Sequence, residues 1–162
     1  MIRFLTPMRL FTLATLIPVA LICAAATLGG LWILASLIYL TVLTACLDEI
    51  VHHVTPPTKD SEFPAAMVLS VSLGVLHFGL LALVVNALAN GNSSIIAKIG
   101  IFIAAGFFFG QISNSNAHEL IHRGGRRLHR LGKWVYISLL FGHHTSAHVL
   151  VHHRYVATPS GP

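Results

Sequence analysis

The stretch IIAKIGIFIAAGFFFGQISNSNAHELIHR, residues 95–123, holds two kinds of sequence in one continuous segment. Residues 95–113 contain no acid, and their only cation, Lys98, lies near the start where its stem can snorkel to an interface. At ~1.5 Å per residue such a run approaches the ~30 Å of a bilayer's hydrocarbon core. It leads directly into His118-Glu-Leu-Ile-His122, two imidazoles separated by about one helical turn. The expectation is a membrane helix that carries chemistry at one end.

Three further runs of similar character precede it. Residues 10–28 and 31–47 are joined by Gly29-Gly30 alone, which predicts a tight helical hairpin. Residues 65–89 form the third run, separated from the fourth by the polar turn Asn90-Gly-Asn-Ser-Ser. The expected fold is all-α: a polytopic membrane bundle of four transmembrane helices in one domain, 1–162, ending in a cytoplasmic histidine-rich segment. Residues 134–141 form a shorter apolar run after a basic loop, a partial or interfacial segment. The start, with Arg3, Arg9 and Ala24-Ala25-Ala26, resembles a cleaved signal, but the second apolar run follows at once, as in an anchoring hairpin.

Composition agrees. The 162 residues are 55% hydrophobic and 9% charged, with mean hydropathy +0.78. A soluble domain carries roughly 25% charged residues, so soluble and disordered classes are both excluded. Five of the ten Lys and Arg fall within residues 123–133, between apolar runs, which speaks for a juxtamembrane anchor and against nucleic acid. By the positive-inside rule this stretch, Arg3 and Arg9 face the cytoplasm. Cys23 and Cys46 lie in apolar runs and read as small buried hydrophobes.

Eight of the eleven histidines lie between His118 and His153. His148-Val-Leu-Val-His152-His153 repeats the pairing of His118 and His122 after a 25-residue connection, with His143 and His144 beside it. Two such pairs can converge from adjacent helices on one metal. The motif HExxH alone also fits a zinc protease with Glu119 as base, but that chemistry leaves the second cluster surplus. Imidazoles with no Cys and one Glu suit a borderline transition metal, iron first and zinc as the alternative. His77 reads as a satisfied histidine within a membrane helix, and His52-His53 as part of a solvated loop.

Asn116-Ala-His-Glu-Leu-Ile-His-Arg123 resembles the first histidine box of the membrane alkane hydroxylases (alkane 1-monooxygenases), within the integral-membrane fatty acid desaturase and hydroxylase superfamily. Gly142-His143 and His148-x-x-x-His152-His153-Arg-Tyr-Val-Ala-Thr-Pro resemble the second box and its trailing signature, and the loop around Asp48 sits where the family carries an acidic loop. The resemblance implies a non-haem di-iron site on the cytoplasmic face of a bacterial inner membrane. There, O₂ is used to hydroxylate an alkane or fatty acyl chain, with electrons from a rubredoxin-like donor. It implies His118, His122, His148, His152 and His153 as iron ligands, and Glu119 as a hydrogen-bond acceptor that orients an imidazole. Ala147 and Val151 stand where the family has an acid and a Gly, and the sequence holds no third HxxHH. The chain is therefore expected to be the N-terminal portion of such a domain, inactive alone. A desaturase or other lipid hydroxylase, an intramembrane zinc protease and a degenerate non-catalytic membrane protein are the rival expectations.

Overall fold

The computed structural model describes residues 7–43, 45, 64–123 and 125–147, and among them every regular element is helical. The elements are α1 (Pro7–Leu28), α2 (Leu31–Ile38), α3 (Pro64–Asn90), α4 (Ile95–Phe108), α5 (Asn114–His122), α6 (Arg126–Ser138) and the short α7 (His144–Ala147). Single π-helical turns follow α2 (Tyr39–Leu43) and α4 (Phe109–Ser113).

Gly29 and Gly30 both take positive φ, +67° and +54°, a region open to residues without a Cβ, and so reverse the chain between α1 and α2. The expected hairpin is present, and the Tyr39 hydroxyl donates across it to the Ala14 carbonyl at 2.9 Å. At the other turn, Ser94 caps α4 by accepting from the Ala97 N–H at 3.3 Å.

The first four helices share one apolar core. Ile22 and Ala25 of α1, Ile33 and Leu40 of the second helix, Leu73 and Leu80 of α3, and Ile101, Ala104 and Phe108 of α4 are buried together. Gly100 lets α2 approach closely: a Cβ there would lie 2.5 Å from Cγ2 of Ile33. Outward faces are apolar too, with Phe11, Leu31, Ile96 and Phe102 exposed. A helix hydrophobic on every side suits a lipid surround.

Among the described residues, three helices are long and apolar enough to cross a membrane: Phe11–Leu28, Met67–Asn90 and Ile95–His122. The described residues are therefore all-helical and of membrane type. The second run is apolar over Leu31–Val42 among the described residues, and the end of the expected span, residues 46–47, lies outside them. As expected, the fourth helix leads directly into the histidine pair, continuing to His122 through the π-turn.

One correction concerns the basic stretch. From Arg126 onward it is helix, not loop, and it merges with half of the following apolar run to make α6. Leu128, Gly132, Val135, Tyr136 and Leu139 recur at helical spacing and form its inner face. Run length concealed this, because the cations occupy the opposite face of the same helix.

Candidate metal centre

His118 and His122 lie on one face of α5, with ring centroids 4.5 Å apart. Three contacts fix that face. Ala117, Leu120 and Ile121 are buried on the opposite side of the helix. Asn116 donates from Nδ2 to the Ser70 carbonyl of α3 at 2.9 Å. The third contact is with α6 at Gly132, where a Cβ would stand 2.8 Å from the Ala117 carbonyl oxygen and 2.9 Å from Cβ of Leu120. Only a glycine permits that approach.

His77, fully buried in α3, ties the same region together. Its Nδ1 is 3.0 Å from Oγ of Ser113 in the π-turn, and its Nε2 is 2.7 Å from Oγ of Ser138 at the end of α6. Ser138 spends its own hydroxyl proton on the Val135 carbonyl at 2.7 Å. It therefore accepts from Nε2–H. The imidazole has a hydrogen-bond partner at both ring nitrogens, which answers the expectation for this residue. Phe78 and Phe109 meet its ring edge-to-face at 5.1 and 5.0 Å.

After α6 the chain turns through Leu140, a non-glycine residue at φ +60°, and brings His144 back toward α5. The His144 ring lies against Phe141 at 5.0 Å with an interplanar angle of 23°, and 5.1 Å from the ring of Tyr136. Its centroid is 6.3 Å from that of His118. Burial pushes the Tyr136 phenol up to about 12, so it stays protonated at any ordinary pH. Thr145, also buried, has a hydroxyl without a hydrogen-bond partner among the described residues.

Two imidazoles on one ion, with metal–nitrogen bonds of about 2.1 Å, have ring centroids no more than about 6.5 Å apart. Both spacings lie within that reach. Even so, no group of three His, Cys, Asp or Glu among the described residues is arranged to hold a metal. His148, His152 and His153, with His52, His53 and the Asp48 loop, lie outside the described residues. The two of the five expected ligands within the described residues, His118 and His122, are brought together.

Glu119 points away from this pair into a contact with Arg123, which donates to Oε1 from Nε at 3.1 Å and from Nη2 at 2.8 Å. The pairing is an exposed i, i+4 ion pair. His144 and Tyr136 were not among the expected site residues. The signal for Tyr136 is its place on the inner stripe of α6, four residues after Gly132. His144 had only its adjacency to His143 as a signal, since the chain reversal at Leu140 is not legible in a leucine. Compared with known protein families, with curated proteins and with solved structures, the chain matches none.

Proposed function

We propose that this chain contributes to a membrane non-haem di-iron centre that hydroxylates an alkane or fatty acyl chain with O₂. The observation that carries this reading is the His118–His122 pair at the end of a helix long and apolar enough to span a bilayer. That placement sets metal-ligating nitrogens beside the phase in which an aliphatic substrate dissolves. His118 and His122 hold the first metal position, and His148, His152 and His153 complete the set by resemblance. Iron, when bound, supplies the O₂ activation that breaking an unactivated C–H bond demands, beyond the reach of acid–base side chains. The chain's own groups position it: Asn116 and Gly132 set the rotation of α5, and the His77 chain of hydrogen bonds fixes its root. Four spans, cytoplasmic histidine boxes and a rubredoxin-like electron donor belong to the same proposal.

The second histidine cluster, surplus to a zinc protease, distinguishes this reading from zinc-protease chemistry. The test is metal analysis of the purified chain after mild chelation, with His152→Ala beside the wild type. Stoichiometric iron that falls at least tenfold in His152→Ala is expected. Zinc indifferent to that substitution, or no retained metal, would overturn the proposal.

A further inference from the structure

The outward stripe of α6 has no role in the metal reading, yet it is the most strongly patterned surface among the described residues. Arg126, Arg130, Lys133, Trp134 and Ile137 recur along it at helical spacing, all exposed. With Arg123 across the turn, they line an open groove of about 750 Å³. Arg123 is neutralised by Glu119, whereas Arg126, Arg130 and Lys133 have no ion-pair partner among the described residues, and no acid lines the groove.

The stripe is graded. Cations occupy its beginning, then Trp134, then Ile137, and the turn beyond exposes Leu140 and Phe141. Lys133 and Arg130 precede Ile137 by four and seven residues, about 6 and 10 Å along the axis at ~1.5 Å per residue. Lys133 thus falls within the roughly 5–8 Å depth of one leaflet's headgroup region, and Arg130 just beyond it. Leu140 supports the same orientation independently. Its left-handed backbone suits Gly or Asn, and strain of about 1–2 kcal/mol is tolerated to hold a leucine that is 92% exposed. An apolar side chain so exposed at the apolar end of the gradient fits acyl chains, not water.

We propose that this groove binds an anionic phospholipid, with Arg126, Arg130 and Lys133 on the phosphate and residues 134–141 against the acyl chains. Free guanidinium and ammonium groups meet the phosphate oxygens, the indole sits at headgroup level, and Ile137, Leu140 and Phe141 lie below.

The chain has two tryptophans, Trp32 and Trp134, so Trp32→Phe leaves a single reporter in the groove. The full chain with this substitution, in neutral detergent, is titrated with acyl-brominated phosphatidylglycerol and, separately, acyl-brominated phosphatidylcholine. Quenching of Trp134 is expected to saturate at a concentration at least tenfold lower for the anionic lipid. Arg130→Gln and Lys133→Gln should each raise that midpoint about fivefold. Arg127→Gln, on the same helix but outside the groove, should change it less than twofold. Circular dichroism checks that these surface variants remain helical. Equal midpoints for the two lipids, or an equal shift from Arg127→Gln, would overturn the proposal. So would displacement by inorganic phosphate at the lipid's own concentration, which would mark a free-anion site. Shielding of Trp134 by a small acidic protein, with no response to phosphatidylglycerol, would assign the groove to a protein partner and equally overturn it.

Discussion

The bundle of α1 to α4 and the pair α5–α6 are held together in different ways. The bundle buries a broad apolar core, and its contacts are mostly those of Ile, Leu, Ala and Phe on facing helices. Among the described residues the pair has a much smaller cluster, Ala117, Ile121, Val135 and Tyr136. It relies instead on individual contacts: Gly132 against the backbone of α5, Asn116 to Ser70, and His77 between two serines. Apolar packing tolerates sliding and repacking, whereas a hydrogen bond of fixed direction does not. Where two imidazoles must stay on one face, the specific contacts are concentrated.

This contrast can be broken most sharply at glycines. Gly132→Leu should destabilise the protein by about 3 kcal/mol, because its side chain meets the backbone oxygen of Ala117 and cannot be accommodated by a rotamer change. Gly106→Ala in the bundle meets nothing within 4 Å and should be neutral or stabilising by about 0.5 kcal/mol. Thermal unfolding of both variants in one detergent compares the two regions directly.

Alkaline pH tests the buried phenol of the small core. Tyr136 ionises near 12 when folded and near 10 when unfolded, so the folded state holds its proton more tightly. Stability should therefore be lost as pH rises from about 10 to 12, by roughly 2 kcal/mol, and Tyr136→Phe should remove that fall. Equilibrium unfolding across this range shows whether the slope belongs to Tyr136.

Smaller effects follow for the polar ties. His77→Leu forfeits two hydrogen bonds at a cost of about 1.5 kcal/mol, in the range measured for side-chain bonds between membrane helices. Asn116→Ala loses one and should cost about 1 kcal/mol. Hydrogen exchange should register both losses in α5 and α6 before the bundle responds. A uniform response would show that the two regions are not distinct.

Much of this architecture is legible in the sequence, because length and hydropathy decide it. The apolar runs, the Gly29-Gly30 reversal and the polar turn before Ile95 all follow from side-chain chemistry at known spacing. The pairing of His118 with His122 follows from helix periodicity alone. The structure of residues 123–141 did not follow from run length, since a helix with one cationic and one apolar face produces no long run of either kind. The approach of His144 to His118 depends on a leucine in a left-handed conformation, which leucine does not announce. The fourth helix runs on into His118 and His122 although Ser113, Asn114 and Asn116 interrupt its apolar run. The polar groups of Ser113 and Asn116 are absorbed by α3, through His77 and the Ser70 carbonyl.

The central claim is that the histidines at the end of the fourth helix ligate metal. X-ray absorption at the iron edge of the purified chain tests it most directly. Imidazole nitrogens at about 2.0–2.1 Å are predicted for the wild type, with that shell reduced and iron content falling at least tenfold in the His118→Ala, His122→Ala double variant. An iron environment unchanged by the double substitution, or no stoichiometric metal in the wild type, would contradict it.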